Sequence, residues 1–212
     1  MKKSDVKMLL NRLSRRYPVV NTQLEHGNPF QLLIATILSA QCTDRQVNQV
    51  TPELFARFPD PEALAGALLE DIKKVIFPTG FYNNKAKNIK ACARALVEWH
   101  DSVVPKDIDS LTRLPGVGRK TANVVRSVCF GVQTIVVDTH VHRVSRRLGL
   151  ADHKDPVKVE FQLMGVIPEA SWNDLSLQLI YFGREICHAR RPECASCPMF
   201  DICPSGKVFE KR

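Results

Sequence analysis

Four cysteines near the C-terminus, Cys187, Cys194, Cys197 and Cys203, limit what this chain can build more than any other feature. Their spacing is Cys-x6-Cys-x2-Cys-x5-Cys. Four thiolates from one short loop suit either a tetrahedral zinc ion or a cubane cluster. Structural zinc usually takes two close Cys-x2-Cys knuckles set well apart. Here there is one close pair and the whole set is compressed, which fits a single compact 4Fe–4S cluster better. The loop, residues 187–203, also carries His188, Arg190 and Arg191, which a cluster-held loop can present to phosphates. The remaining cysteines, Cys42, Cys92 and Cys129, lie in helical contexts and read as small core residues.

The rest of the chain reads as helices. Val6, Leu9, Leu10 and Leu13 recur at helical spacing over residues 4–16, with basic residues opposite. Asn28-Pro29 is a helix start, an N-cap followed by proline at N1. The run Phe30–Ala40 is apolar on nearly all sides and predicts a central core helix. Thr43 or Asp44 caps the next helix, toward Phe58, and Asp60-Pro61 opens another. A helix over 68–76 is broken by Pro78-Thr79-Gly80. Asn83 or Asn84 leads into a long helix to about His100, and Pro105 to Leu114 forms a short one. Val132–Val137 is extended and β-branched, but too short and solitary for a sheet. Asp138 caps a helix to about Leu148, with Gly149 as its C-cap. Asp155-Pro156 starts a helix ending near Pro168, and Ser171 or Asn173 caps one running to about Cys187. The expected class is all-α.

Between two of these helices lies Leu114-Pro-Gly-Val-Gly-Arg-Lys120, a tight turn in which Gly116 and Gly118 can take positive φ. The first amides of the following helix point outward at the positive end of its dipole and form a natural phosphate site. A net charge of +8 favours a polyanionic partner. The N-terminus shows no signal peptide and Phe30–Ala40 is too short to span a bilayer, so an intracellular, cytoplasmic protein is expected.

Lys120 sits in the first turn of that helix, where a cation opposes the dipole. The helix carries the chain roughly 15 Å to Phe130 at ~1.5 Å per residue. An antiparallel return over Val132–Val137 covers about 20 Å, enough to bring Asp138 level with Lys120. Such a pair has a specific chemistry. A lysine attacks a sugar carbon only as the neutral amine, and a helix N-terminus, desolvation and a neighbouring cation such as Arg119 favour that form. The attack yields a Schiff base. An aspartate steadies the cationic sugar and helps activate the amine. In a duplex the nucleotide must first be flipped out.

Leu-Pro-Gly-Val-Gly-Arg-Lys at 114–120, Val-Asp-Thr-His at 137–140, Leu-Ser-Ala-Gln at 38–41 and the terminal cysteine spacing together resemble the endonuclease III family, bifunctional DNA glycosylases and AP lyases of the helix-hairpin-helix superfamily. The resemblance covers nearly the whole chain. It implies a six-helix domain at 22–132, with the hairpin at about 108–130, and a second domain of 1–21 plus 133–212 that holds a 4Fe–4S cluster on Cys187, Cys194, Cys197 and Cys203. DNA is expected across the cleft between them. The resemblance makes Lys120 the Schiff-base nucleophile and Asp138 its partner. Gly116, Gly118, Arg119, Arg143, Arg190 and Arg191 become DNA contacts. Gln41 fills the space left by the flipped nucleotide. Phe81 stands where the family often has an aliphatic wedge; an aromatic ring can also stack between bases. The implied partner is duplex DNA with damaged bases or abasic sites, bound by a monomer of bacterial type, with oxidised pyrimidines such as thymine glycol as substrates.

Two rivals remain within reach of the sequence. A mismatch-specific glycosylase of the same superfamily is expected to lack a lysine at 120. A non-catalytic helix-hairpin-helix DNA-binding protein leaves Lys120 and Asp138 without a role.

Overall fold

The structure, a computed structural model, describes residues 1–210. Among them the helices run in the order α1 (Lys3–Arg16), α2 (Pro29–Leu38), α3 (Asp44–Arg57), α4 (Pro61–Gly66), α5 (Leu69–Ile76), α6 (Tyr82–His100), α7 (Ile108–Arg113), α8 (Arg119–Phe130), α9 (Thr139–Arg147), α10 (Pro156–Val166), α11 (Trp172–Glu185) and α12 (Gly206–Glu210). Short 3-10 turns occupy Phe77–Thr79, Glu169–Ser171, Cys194–Ser196 and Phe200–Ile202. The described residues contain no β-strand, and none of their helices is long and apolar enough to cross a membrane.

The chain divides into two compact units, Thr22–Val132 and a discontinuous one of Met1–Asn21 with Gln133–Arg212. In the contiguous unit, α2 is the core: Leu32, Leu33, Ile34, Ala35 and Leu38 have no solvent exposure. Helices α3, α6 and α8 pack on it, which is what a helix apolar on all sides requires. In the discontinuous unit, α11 packs against α1 and α9, around Leu9, Leu13, Val141, Val144, Leu175, Leu179 and Phe182.

Most helix starts follow their capping residues. The side chains of Asn28, Thr43, Asp60, Asp107, Asp138 and Asp155 each accept a first-turn amide of the next helix. Two starts differ from the sequence-based expectation. Helix α6 begins at Tyr82, not after Asn83 or Asn84, and its N-cap is Phe81 in the left-handed region with no capping side chain. Ser171 precedes α11 but makes no capping bond, and Asn173 instead accepts the amide of Thr134 at 2.9 Å. That bond belongs to the extended segment 133–137. With no sheet to join, its amides need side-chain acceptors. Asn173 takes Thr134, and the Ser176 hydroxyl takes Val136 at 3.0 Å.

Candidate active site and cysteine centre

The contiguous unit presents the hairpin α7–turn–α8. Leu114 and Val117 are buried, and the Val117 amide donates to the Leu114 carbonyl at 3.1 Å, closing the turn. Gly116 has φ +76°. A Cβ there would stand 2.9 Å from the Asn88 Cβ, so both backbone and neighbour demand glycine. Gly118 departs from the expectation of positive φ. It is the N-cap of α8, in extended backbone at φ −91°, which any residue adopts. A Cβ there would meet no heavy atom within 4 Å. The open space lies over a helix N-terminus that receives no capping side chain. Lys120, in the first turn, is exposed, so any desolvation of its amine must come from a bound substrate.

Non-glycine residues take positive φ at three further turns of the same unit, one of them Asp101–Ser102 at the end of α6. Gln41 and Phe81 are non-glycine residues at φ +52° and +48°, a conformation that costs on the order of 1 kcal/mol or more each. Gln41 is exposed. Its side-chain amide makes no hydrogen bond among the described residues, contrary to a purely local role at the end of α2. Phe81 is 64% exposed, contrary to a core aromatic closing the Gly80 turn.

In the discontinuous unit, Asp138 is half-buried at the N-cap of α9. Its Oδ1 accepts the amides of His140 and Val141, both at 2.8 Å. Among the described residues its Oδ2 makes no hydrogen bond. Burial pushes the His140 imidazole below its ordinary pKa; Asp138 pulls it back, and Arg143 and Arg184 push it further down. Arg143 donates to His140 Nδ1 at 3.1 Å, which makes that nitrogen an acceptor.

Two arginines of α9, Arg143 and Arg147, are engaged with the protein's own backbone. Arg143 donates to the carbonyls of Gly183 at 2.9 Å and Cys187 at 3.1 Å. Its guanidinium is turned into the protein rather than held out for phosphate. Arg147 donates to the carbonyls of His188 at 2.6 Å and Ala189 at 2.7 Å and to the sulfur of Cys187 at 3.4 Å. Its guanidinium carbon also lies 4.5 Å from the centre of the Phe209 ring. Arg190 and Arg191 are exposed on the loop.

Cys187, Cys194, Cys197 and Cys203 line one cavity with Arg147, Phe182, Ile186, Phe200 and Phe209. No three His, Cys, Asp or Glu side chains among the described residues are grouped to hold a single metal ion. Burial pushes the Cys197 and Cys203 thiols up, and their neighbouring cysteines push them further. N–H donors already meet two of the sulfurs, Met199 on Cys197 at 3.4 Å and Arg147 on Cys187, as cluster thiolates require. The donor set fits an iron–sulfur cluster. Cys92 is buried in the contiguous unit, with its thiol pushed up to about 12 by burial. Cys42 and Cys129 pack partly against the same core.

Comparison with known proteins agrees with this arrangement. Residues 34–169 match the HhH-GPD superfamily of base excision DNA repair proteins, and residues 187–203 match the iron–sulfur binding domain of endonuclease III. The endonuclease III of Synechocystis sp. is 47% identical over 98% of this chain and 95% of its own. A solved endonuclease III in a non-covalent complex with DNA superposes with a TM-score of 0.95 at 43% identity, covering all of both chains. A second, trapped as a covalent intermediate with DNA, gives 0.94 at 44% identity, again over all of both chains. The chain belongs to the endonuclease III family. It is a base-excision DNA glycosylase and AP lyase with a 4Fe–4S cluster.

Sequence reasoning missed Lys85, which is 4% exposed. The signal was present: Lys85, Ile89, Cys92 and Leu96 share one apolar helical stripe. Arg147 carried no signal in the sequence, because its partners lie about forty residues away, with a separation of 41 to His188.

Proposed function

We propose that Lys120 is the nucleophile of this enzyme, that Asp138 is the carboxylate assisting it, and that the substrate is duplex DNA carrying an oxidised pyrimidine of the thymine glycol type or an abasic site. The amine of Lys120 bonds to C1′ of the extruded nucleotide. The glycosidic C–N bond breaks and its electron pair leaves with the base, which takes up a proton. The ring oxygen then departs from C1′, and the nitrogen, having lost a proton, is left in a protonated imine. Removal of a proton from C2′ expels the 3′-phosphate with the C3′–O electron pair, which cleaves the strand. Water finally releases Lys120. Asp138 serves the first step, where positive charge builds on the sugar. Its Oδ1 is fixed by two amides, and Oδ2 remains for substrate.

The observation that carries this reading is the Leu114–Lys120 turn. It joins an exposed lysine to a helix N-terminus that has open space in place of a capping side chain. Gly116, Gly118 and Arg119 are assigned to the phosphate beside the lesion. Gln41 and Phe81 are assigned to the space vacated by the nucleotide, and Arg190 and Arg191 to flanking phosphates. Arg143 acts at one remove, by holding the loop that carries the latter two. Cys187, Cys194, Cys197 and Cys203 are assigned as the cluster ligands. The cluster, when bound, ties residues 187–203 into one fixed shape. We take the acting form to be an intracellular monomer.

Borohydride reduction on duplex DNA containing thymine glycol tests the assignment. A covalent protein–DNA adduct is expected from the native protein and none from Lys120→Ala. An undiminished adduct from Lys120→Ala, with binding intact, overturns the role of Lys120.

A further inference from the structure

Lys85 is a cation where stability alone calls for an apolar side chain. It lies in the second turn of α6, its helix dipole opposes it, and its side chain is 4% exposed. No carboxylate among the described residues pairs with it. Its Nζ donates to the carbonyl of Thr79 at 2.8 Å. Burial pushes its pKa down, and the Cys42 thiol pulls it back up. A buried ammonium with one neutral acceptor is costly to fold.

What the ammonium holds explains its presence. Thr79 is itself buried, and its hydroxyl donates to the Ile76 carbonyl at 2.8 Å. Its own carbonyl leads into Gly80 at φ +68° and Phe81 at φ +48°. The next helix starts from the Phe81 carbonyl, which accepts the amides of Asn84 and Lys85, both at 3.1 Å. The side chain of Lys85 thus closes a ring from α6 back to the residue before the Gly80–Phe81 turn. That turn has no capping side chain to hold it.

We infer that Lys85 is a positioning residue. It fixes the left-handed turn that presents Phe81, so that the ring enters the DNA stack in one predetermined geometry. This rests on the assignment of Phe81 to the vacated space. Lys85 touches no substrate. A geometric error at such a wedge lowers the rate of any step that needs extrusion from a duplex, by on the order of tenfold or more, and leaves untouched a step that needs none.

The test compares Lys85→Met with the native holoenzyme in two assays, each normalised to active sites counted by borohydride trapping. One is base excision from duplex DNA containing thymine glycol. The other is β-elimination at a preformed abasic site in single-stranded DNA. Lys85→Met is expected to fold, to lose tenfold or more in duplex excision and to stay within about twofold in single-strand lyase activity. In the Phe81→Ala background the same change is expected to add almost nothing, because both act through one turn. Equal losses in the two assays, or full additivity with Phe81→Ala, overturn the inference. If Lys85→Met does not fold, Lys85→Gln, which keeps an N–H donor, is read the same way. A Phe81→Ala protein that excises normally from duplex DNA refutes the wedge assignment itself. Normal excision by Lys85→Met beside an impaired Phe81→Ala refutes only the role of Lys85.

Discussion

The side chain of Asn88 occupies the space that a Cβ on Gly116 would need, with only 2.9 Å between that position and the Asn88 Cβ. Helix α6 therefore dictates the residue at the tip of the hairpin. Two glycines in one short turn thus have different reasons for being glycine.

Gly116→Ala must adopt φ +76° and displace Asn88. A loss of about 2–4 kcal/mol is expected, read as a lower melting temperature. Gly118→Ala meets neither demand and is expected to melt within about 1 kcal/mol of the native protein. Its defect should appear in binding to duplex DNA, with a shallower dependence on salt.

Asp138 caps α9, and substitution can separate that cap from its proposed part in catalysis. Asparagine caps a helix about as well as aspartate. Asp138→Asn should therefore keep the melting temperature and lose single-turnover excision. Asp138→Ala should lose excision and also about 1 kcal/mol of stability. Normal turnover in Asp138→Asn removes the carboxylate from the mechanism.

The loop of cysteines is clasped by Arg147 through two carbonyls and one sulfur. Arg147→Met should leave the cluster able to assemble but quicken its loss to a chelator, followed as decay of the visible absorbance. An unchanged rate of loss means that the four thiolates alone hold the loop.

His140 gives stability a pH dependence of known sign. Its folded-state pKa lies below the ordinary value of 6.5, chiefly through burial. The unfolded chain therefore binds a proton more readily than the folded one in the window just below that value. The contribution is complete above pH about 6.5 and is lost as pH falls toward the folded pKa. Urea midpoints should decline from pH 7 to pH 5, and His140→Asn should flatten that decline. A variant with the native slope assigns the titration to another group.

Much of the architecture was legible because its causes are local. An N-cap needs only a residue and the amides two or three positions on, and Asn28, Thr43, Asp60, Asp107, Asp138 and Asp155 all cap as their chemistry dictates. The cysteine spacing was legible for the same reason. What could not be read is non-local. Helix α6 starts from a left-handed Phe81 that has no capping group to announce it. Arg143 and Arg147 reach carbonyls forty residues or more away, and their partners depend on how α9 and α11 pack. Gly118 carried a glycine argument that holds only for Gly116, since sequence does not tell a turn's left-handed position from the extended N-cap beside it.

The discontinuous unit joins the first twenty-one residues to the last eighty, with the contiguous unit inserted between them. During synthesis the inserted unit has all its residues in hand while α11 and the cysteine loop are still untranslated. Helix α1 must wait, its apolar face uncovered, until α11 has left the ribosome. The cluster can be delivered only after that. Termination before α11 therefore leaves every residue of the hairpin in place but the first helix without its partner.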